Sequence, residues 1–313
     1  MQKIPVVTVV GPTASGKTAL AVELALRLSG EVISADSMQI YRDMDVATAK
    51  PAAEEMRGVP HHLIGCIDRT EPFSVARWCE LARPIIRDIL GRNKLPIIAG
   101  GTGLYIDSLL GNLQFTEADA DPAVREELQK ELEACGLDRM LDILRGIDPA
   151  SAERLAPGRN PKRILRAIEV YRTTGVTMTR LNAEQSASPS PYTAVKIGLC
   201  ASDRGYLYDR IDRRVDRMMD DGLLDEARRF YDSACSETAA AAIGYKELLP
   251  YLRGEEPLDH CIDSLKRATR RYAKRQLTWF RRDPEICWFE IDRLPFGAIA
   301  DAAEQLIKDR FYA

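Results

Sequence analysis

The sequence predicts an α/β protein, in which a P-loop parallel sheet has flanking helices and a helical insertion domain. The β-branched run at residues 6–10 leads directly into a glycine-rich segment, residues 11–18, and helical spacing of apolar residues follows over 19–28. Two more strand-like runs, 31–34 and 95–99, alternate with helical patterns within residues 1–112. Strands that alternate with helices indicate crossover connections and therefore a parallel sheet.

The segment Gly-Pro-Thr-Ala-Ser-Gly-Lys-Thr at 11–18 has the spacing of a phosphate-binding loop, and it lies between a predicted strand and a predicted helix. Its glycines allow backbone N–H groups to turn inward, and the helix N-terminus adds partial positive charge. Lys17 is expected to neutralise phosphate oxygens, and the Thr18 hydroxyl is the candidate Mg²⁺ ligand. The candidate phosphate-binding residues are Gly11, Pro12, Thr13, Ala14, Ser15, Gly16, Lys17 and Thr18.

The surroundings of this loop favour group transfer over nucleotide hydrolysis. A motor or switch adds a strand that ends in a Mg²⁺-binding carboxylate, whereas the strand at 95–99 ends in Gly100-Gly101-Thr102-Gly103. The strand-end acid is Asp36, placed where open α/β sheets bind ligands. Asp36 is a candidate acceptor for a proton of the nucleophile, or alternatively a helix cap. Thr102 is a candidate hydroxyl donor to phosphate.

Composition excludes several other classes of site. The chain has 313 residues, a formal net charge of −3, seven cysteines and three histidines. An odd cysteine count without a Cys-x-x-Cys pair argues against a disulfide framework and a structural zinc site. No apolar run reaches the roughly 18–20 residues that span a membrane. With no cleavable signal in the pattern, we expect a cytoplasmic protein.

The middle of the chain reads as helical. Asp121-Pro122, Asp148-Pro149 and Asn160-Pro161 have the pattern of helix starts, whereas 184–191 is predicted to be a loop. Residues 203–282 are mostly helical, and 285–290 is a candidate returning strand. We therefore predict a catalytic core made of residues 1–112 and 203–313, interrupted by a helical insertion over 113–202.

A strongly basic segment extends from Ser264 to Arg282, with eight Lys or Arg residues and no acid. Lys266, Arg270 and Lys274 form one row at i, i+4 spacing, and Arg267, Arg271 and Arg275 form another. Unpaired like charges at this spacing repel one another, which favours an external polyanion as partner. A solvated face and a clamp for a phosphorylated substrate are the alternatives. Lys162, Arg163 and Arg166 form a second basic cluster on the insertion.

Taken together, these segments resemble the tRNA dimethylallyltransferases. The resemblance is carried by residues 11–18, Ser-Ala-Asp-Ser-Met-Gln-Ile-Tyr at 34–41, Thr-Ala-Lys-Pro at 48–51, His-His-Leu-Ile at 61–64, Gly-Gly-Thr-Gly-Leu-Tyr at 100–105, Lys-Arg-Ile-Leu-Arg-Ala-Ile-Glu-Val at 162–170, Ile-Gly-Tyr-Lys-Glu at 243–247 and Thr-Arg-Arg-Tyr-Ala-Lys-Arg-Gln-Leu-Thr-Trp-Phe at 269–280. The chain lacks the Cys/His zinc finger of eukaryotic members, so it is similar to the bacterial type. Gly65 stands where the family often has an acid, and Thr179 where Ser is usual.

The resemblance implies transfer of a dimethylallyl group from dimethylallyl diphosphate to the exocyclic amine of the adenosine 3′-adjacent to the tRNA anticodon, with release of diphosphate. It implies Mg²⁺ as cofactor and the anticodon stem-loop as partner, and we expect a monomer with no membrane association. Catalytic roles fall on Asp36, Lys17, Thr102 and Arg214, the last placed by the pattern Arg210-Ile211-x-x-Arg214-x-x-x-Met218. The implied tRNA-binding residues are Asp36, Ser37, Met38, Gln39, Thr102, Arg125, Lys162, Arg163, Ile164, Leu165, Arg166, Lys274, Arg275, Gln276 and Arg281.

Three alternative functions remain open at this point. An adenylate isopentenyltransferase would prenylate free AMP, and a P-loop small-molecule kinase would transfer phosphate from ATP. A nucleotide-gated RNA-binding protein would change its affinity for RNA without changing the RNA covalently. The helical insertion and the basic segment argue against the first alternative, because an enzyme acting on free AMP needs neither.

Overall fold

The computed structural model describes residues 3–112, 122–187 and 189–312. It divides into two compact units, a sheet unit formed by Met1–Leu110 with Pro191–Ala313, and a helical unit formed by Gly111–Ser190. The second boundary therefore lies between residues 190 and 191, not between 202 and 203 as the sequence predicts. The difference is a strand that the sequence analysis assigned to the insertion.

The sheet unit contains a six-stranded sheet in the order β3-β2-β4-β1-β5-β6, with every strand pair parallel. The strands are β1 Ile4–Val10, β2 Gly30–Ser34, β3 His61–His62, β4 Leu95–Gly100, β5 Tyr192–Cys200 and β6 Cys287–Glu290. The predicted α/β class and parallel sheet are confirmed. The strands predicted at 6–10, 31–34, 95–99 and 285–290 correspond to β1, β2, β4 and β6.

The two units also contain α-helices. In chain order they are α1 Lys17–Arg27, α2 Ala53–Met56, α3 Val75–Gly91, α4 Gly103–Leu110, α5 Pro122–Ile147, α6 Pro149–Leu155, α7 Pro161–Thr174, α8 Met178–Ala187, α9 Arg204–Asp220, α10 Leu223–Tyr231, α11 Glu237–Ala240, α12 Tyr245–Leu252, α13 Leu258–Phe280 and α14 Phe296–Phe311. In the described part of the chain, none of these helices combines the length and apolarity needed to cross a membrane.

One hydrophobic core of the sheet unit lies between a face of the sheet and helices α1 and α14. Val7 and Val9 of β1 pack with Ile97 and Ile197 of the neighbouring strands, and α1 and α14 cover them with the buried residues Leu20, Leu24, Ile299 and Ala303. Such strands are near-continuous apolar runs because helices cover the sheet. All six strands point the same way, so their carboxyl ends meet at one edge. This edge brings together the loops that follow β1, β2, β4 and β5.

Strand β5 was not predicted, because two residues interrupt its pattern of apolar side chains. Lys196 interrupts the apolar alternation, and its ammonium group is paired with Asp283 and Glu285 at 2.7 Å each. Gly198 weakens the strand signal further, yet the fold requires it, because a Cβ there would lie 2.5 Å from a methyl carbon of Ile286 and 2.7 Å from the Trp288 ring. Lys196 and Gly198 are therefore explained only by their contacts with residues 283–288, which are distant in sequence.

In the helical unit, α5 packs against α6 and α7 around a core that includes Leu128, Leu144, Ile164 and Ile168. Two predicted helix starts are confirmed, since the Asp148 carboxylate accepts the Ser151 N–H at 3.1 Å and the Asn160 side chain accepts the Arg163 N–H at 3.3 Å. The third start falls on Asp121, which lies outside the described residues, and α5 begins at Pro122. The loop predicted at 184–191 is wrong in its first part, because α8 continues to Ala187.

The two adjacent histidines of β3 have structural roles. His62 Nε2 lies 2.8 Å from the carboxylate of Glu31, a buried residue that also receives hydrogen bonds from Arg92 and Lys94. Hydrogen bonds from Arg92, helped by Lys94 and His62, hold the pKa of Glu31 well below its usual range despite the opposing effect of burial. His61 Nδ1 lies 2.8 Å from the Val59 carbonyl oxygen. This cluster ties β2 to β3.

Candidate active site

The glycine-rich loop, residues 11–18, leads from β1 into α1 by way of conformations that need glycine. Gly11 has φ 145°, and a Cβ there would lie 2.4 Å from the Leu199 carbonyl oxygen. Gly16 has φ 93° and precedes α1, which begins without a side-chain cap. The first N–H groups of α1 therefore lack the side-chain acceptor that usually covers a helix N-terminus. Arg210 of α9 donates from Nε to the Ala14 carbonyl at 2.8 Å and fixes the loop from outside.

Two cations, Lys17 and Arg214, share the space in front of this loop. The Lys17 ammonium donates to the Pro12 carbonyl at 2.7 Å, so it is folded back on the loop. Burial, together with the positive charge of Arg214, lowers the pKa of Lys17 to about 7, and Asp36 opposes this shift. Burial likewise lowers the pKa of Arg214. Two half-buried cations, close enough for Arg214 to lower the pKa of Lys17, form a site that an added anion would stabilise.

Asp36 follows β2 in a tight turn. Its Oδ1 accepts the backbone N–H groups of Met38 at 2.9 Å and Gln39 at 3.3 Å. The alternative prediction of a helix cap is wrong, because residues 37–40 form a turn and no helix begins there. The turn occupies Oδ1 and fixes the carboxylate at the carboxyl edge of the sheet.

Thr102 joins the turn after β4 to the turn that contains Asp36. Its hydroxyl oxygen accepts the Ser37 N–H at 3.1 Å, and its own N–H donates to the Ala35 carbonyl at 3.1 Å. The two turns approach so closely that a Cβ on Gly100 would lie 2.2 Å from the Ala35 carbonyl oxygen. Thr102 therefore lies beside the cleft and supports the position of Asp36.

Helix α13 is bound to this edge by the side chain of Gln276, which is 5% exposed. Its Oε1 accepts the Thr13 N–H of the glycine-rich loop at 2.8 Å, and its Nε2 donates to the Gly101 carbonyl at 3.1 Å. One turn further on, Trp279 donates from Nε1 to Asp107 at 2.7 Å. A Cβ at Gly103 would lie 2.2 Å from the Trp279 ring, so the glycines of this turn make the docking possible.

Tyr272 completes the contact of α13 with the site. Burial, reinforced by the charge of Asp36, raises the pKa of its hydroxyl above the ordinary value, and the neighbouring Thr102 and Gln276 side chains oppose this shift. The phenol therefore keeps its proton beside the Asp36 carboxylate. Tyr272, Gln276 and Trp279 lie at i, i+4 and i+7 on one helix face, and this periodicity in the sequence is a signal for the face that contacts the sheet edge.

These groups surround a cleft of about 1450 Å³. Lys17, Thr18, Asp36 and Arg214 line it together, as does the segment 45–52. Three of the four predicted catalytic residues therefore line the same cleft. The fourth, Thr102, does not line it, but its hydroxyl oxygen accepts a hydrogen bond from Ser37, the residue after Asp36. Predicted tRNA-binding residues Ser37, Met38, Gln39, Arg275 and Gln276 lie in the same lining.

The expectation of uncompensated charge on the basic segment is wrong for two residues. Lys266 is paired with Asp216 at 2.5 Å, and Arg270 with Asp212 at 2.6 Å, both acids being on α9. The compensating acids come from a neighbouring helix, which sequence spacing within the segment cannot reveal. The exposed cations of α13 without an ion pair among the described residues are Arg267, Arg271, Lys274 and Arg275. Arg281 is exposed just beyond the end of the helix.

In the helical unit the predicted tRNA-binding residues differ in accessibility. Lys162 and Arg163 are exposed at the start of α7. Ile164 is buried in the core of the unit, and Leu165 is packed against that core. Arg125 and Arg166 are paired with the buried carboxylate of Glu169 at 2.9 and 3.1 Å. Their role in RNA binding stays a prediction.

The chain is similar in sequence to known protein families and to individual proteins. The family model described as IPP transferase matches residues 39–283, and that described as isopentenyl transferase matches residues 4–67. A tRNA dimethylallyltransferase of Halalkalibacterium halodurans is 48% identical over 295 residues, covering 94% of this chain and 93% of the relative. A tRNA dimethylallyltransferase of Bacillus subtilis is 48% identical over 290 residues, covering 92% and 91%.

Two solved structures are also similar. The tRNA isopentenylpyrophosphate transferase of Bacillus halodurans has a TM-score of 0.73 at 44% identity, covering 98% of each chain. A eukaryotic dimethylallyltransferase acting on tRNA has a TM-score of 0.83 at 30% identity, covering 98% of this chain and 80% of the other.

The lowered pKa of Lys17 predicts proton uptake when an anion binds. In the free protein the ammonium group loses its proton as the pH rises through about 7, and a bound diphosphate would raise this pKa again. At pH 8, pyrophosphate binding should therefore take up about one more proton in the native protein than in the Lys17→Met variant. Calorimetric titration in buffers of different ionisation enthalpy measures this difference. Equal uptake by both proteins would show that Lys17 does not change its charge on binding.

Proposed function

The chain belongs to the tRNA dimethylallyltransferase family, and from that membership we propose that it transfers a dimethylallyl group from dimethylallyl diphosphate to the exocyclic amine of the adenosine 3′ of a tRNA anticodon. The observation that carries the proposal is the common lining of one cleft by Asp36, Lys17 and Arg214. The cleft thus combines a carboxylate that can accept a hydrogen bond from an amine with two cations that can bind a diphosphate. We place the reaction in the cytoplasm, where its tRNA substrate is found.

The glycine-rich loop is well suited to holding the diphosphate leaving group. The uncapped N-terminus of α1 supplies backbone donors, and Lys17 can turn from the Pro12 carbonyl to the anion. Arg214 faces the same space from α9. As the allylic carbon–oxygen bond breaks, negative charge grows on the diphosphate, and fixed cations stabilise that charge more strongly than the charge of the ground state.

Asp36 is suited to receiving the acceptor amine. In the transfer, the adenine nitrogen forms a bond to the allylic carbon, the bond from that carbon to the diphosphate oxygen breaks, and one amine proton passes to the Asp36 carboxylate. The turn bonds to Met38 and Gln39 engage Oδ1 of Asp36. Oδ2 can then accept the hydrogen bond of the amine and direct the nitrogen lone pair at the allylic carbon. The target base has to leave its stack to reach the cleft.

The residues present fit a Mg²⁺ ion held jointly with the diphosphate. The Thr18 hydroxyl lines the cleft at the end of the glycine-rich loop, and oxygen donors are what Mg²⁺ prefers. Among the described residues no group of three or more His, Cys, Asp or Glu side chains is placed to hold a metal ion, so the remaining ligands would be diphosphate oxygens and water. A bound Mg²⁺ supplies charge neutralisation of the leaving group.

The unpaired cations of α13 are suited to the RNA backbone. Arg271, Lys274 and Arg275 are exposed on the helix that Gln276 fixes to the glycine-rich loop. Backbone phosphates bound there would place a nucleotide at a set distance from Asp36. Free AMP would use none of these contacts, and the curated relatives likewise favour tRNA as the acceptor.

The reaction is tested by incubating the purified protein with Mg²⁺, dimethylallyl diphosphate and unmodified tRNA, followed by mass spectrometry of the nucleosides. Native protein should form prenylated adenosine, and Asp36→Asn should lower the single-turnover rate by about 100-fold or more. Asparagine can still accept the two turn bonds at Oδ1, so the substitution removes mainly the charge. The matched control is Asp43→Asn, an exposed acid with φ 57°, a conformation that asparagine tolerates.

The control variant should keep the native rate. Prenylation of free AMP but not tRNA would identify an adenylate isopentenyltransferase instead. Phosphate transfer from ATP would identify a kinase. An Asp36→Asn protein as active as the control would contradict the role of the carboxylate.

The two classes of cation on α13 predict different effects on RNA affinity. Lys274→Gln removes an exposed charge, so the logarithm of the tRNA binding constant should depend less steeply on the logarithm of salt concentration, with a slope reduced by about one. Lys266→Gln removes a charge that is already paired with Asp216, so the slope should stay unchanged. Fluorescence titrations of tRNA at several salt concentrations measure both. A larger change for Lys266 than for Lys274 would contradict the assignment of the RNA-facing side.

A further inference from the structure

Glu226 of α10 is a buried carboxylate, 4% exposed, whose oxygen atoms are engaged by distant parts of the chain. Its Oε2 accepts the backbone N–H groups of Asp45 and Val46, both at 2.8 Å. Its Oε1 accepts the Ala47 N–H at 2.8 Å and the Tyr245 hydroxyl at 2.9 Å. Among the described residues no Lys or Arg forms an ion pair with it, so hydrogen bonds replace the water that its charge would need.

The segment that Glu226 holds is one wall of the cleft. Residues 45–49 contain neither helix nor strand, and they line the space in front of the glycine-rich loop. Backbone N–H groups that point at a buried side chain, outside a regular hydrogen-bond ladder, need an acceptor on that side chain. Three consecutive N–H groups of this wall find their partner in one carboxylate. The position of the wall therefore depends on Glu226.

The same wall is joined to Asp36 through Gln39. The Gln39 amide donates from Nε2 to the carbonyl oxygens of Thr48 at 3.2 Å and Ala49 at 3.1 Å. The backbone N–H of Gln39 donates to Asp36 Oδ1 at 3.3 Å. Hydrogen bonds at both ends of the segment 45–49 thus connect Glu226, by way of its backbone and Gln39, with the carboxylate proposed to receive the amine.

Tyr245 keeps this arrangement in one protonation state. Burial, reinforced by the neighbouring Glu226 charge, raises the pKa of Tyr245 far above its ordinary value, so the hydroxyl remains a donor. The preceding Gly244 has φ 123°, and a Cβ there would lie 3.1 Å from Ala47 Cβ. The Ile-Gly-Tyr-Lys-Glu segment at 243–247 therefore packs on the wall and supports Glu226.

We infer that Glu226 is a positioning residue for the transfer reaction: its carboxylate fixes the wall 45–49 and, through Gln39, the direction of the Asp36 carboxylate, without touching either substrate. The inference rests on the proposed function. The diphosphate is held by the glycine-rich loop and Arg214, which belong to other elements of the unit. Loss of Glu226 should therefore slow the transfer step and leave the affinity for dimethylallyl diphosphate unchanged.

The test is the Glu226→Gln variant, which keeps the shape of the side chain but turns one acceptor atom into an NH₂ group facing donors. The single-turnover rate of transfer to tRNA should fall about tenfold or more, since a small displacement of a positioning wall is enough for such a loss. The Kd for dimethylallyl diphosphate should stay within about twofold of the native value. Amide hydrogen exchange at residues 45–47 should accelerate, with exchange in β1 unchanged.

Two matched variants separate positioning from stability. Glu31→Gln removes another buried carboxylate, from the β2–β3 cluster, and should lower the melting temperature without slowing transfer. Tyr245→Phe removes one donor and keeps the three backbone bonds, so its rate should stay close to native. A folded Glu226→Gln protein with the native rate would overturn the inference, as would a loss of rate equal to that of Glu31→Gln.

If Glu226→Gln does not fold, the Gln39→Met variant provides the test. It removes the hydrogen bonds from the Gln39 amide to Thr48 and Ala49, at the other end of the same connection. It should slow transfer with an unchanged Kd for dimethylallyl diphosphate, and a native rate would overturn the inference. Failure of the native protein to prenylate tRNA would contradict the proposed function instead. Hydrogen exchange at residues 45–47 would still report whether Glu226 holds the wall.

Discussion

The hydrogen bonds of Gln276 are the interaction on which the arrangement of the site depends. One side-chain amide, buried between α13 and the sheet edge, accepts an N–H of the glycine-rich loop and donates to a carbonyl of the turn after β4. The amide thereby fixes the distance between a helix with exposed cations and a loop suited to diphosphate. A charged side chain could not replace it, because both a donor and an acceptor are needed at one buried position.

This interaction is possible because the backbone segments approach each other very closely. A Cβ on Gly101 would lie 1.9 Å from the Gln276 amide nitrogen, and one on Gly103 would overlap the Trp279 ring. At first sight the glycines after β4 only take the place of a metal-binding carboxylate. They also leave the space in which α13 packs against the sheet edge. The parallel sheet places Asp36 beside this contact, because β2 and β4 are neighbours with their carboxyl ends at the same edge.

Local patterns predicted the parts of the fold and of the site that depend on local chemistry. The strand, glycine-rich loop and helix at the start of the chain follow from β-branched residues, glycines and apolar spacing, and Asp36 follows from its place at a strand end. Strand β5 could not be recognised, because Lys196 and Gly198 are explained by the segment 283–288. The contacts of Glu226 could not be predicted from the sequence either. A glutamate on an amphipathic helix has the pattern of a solvated residue until the backbone of residues 45–47 is folded onto it.

The basic segment shows the limit of reasoning from one helix. Its spacing predicts repulsion, yet two of the three cations in one row are paired with acids of α9, and the remaining exposed cations of α13 are the ones available to a polyanion. Charge compensation is a property of packed helices, and it requires the tertiary structure. The same holds for Gln276, whose sequence context favours an RNA contact while its position gives it two internal partners.

The most direct test of the account is the effect of Gln276→Leu on transfer and on RNA affinity, measured separately. If the amide acts by fixing α13 to the glycine-rich loop, the single-turnover rate should fall about tenfold or more. The Kd for tRNA should remain near the native value, because the exposed cations are untouched. A weakened tRNA affinity with an unchanged rate would contradict the account and would make Gln276 a contact to the RNA.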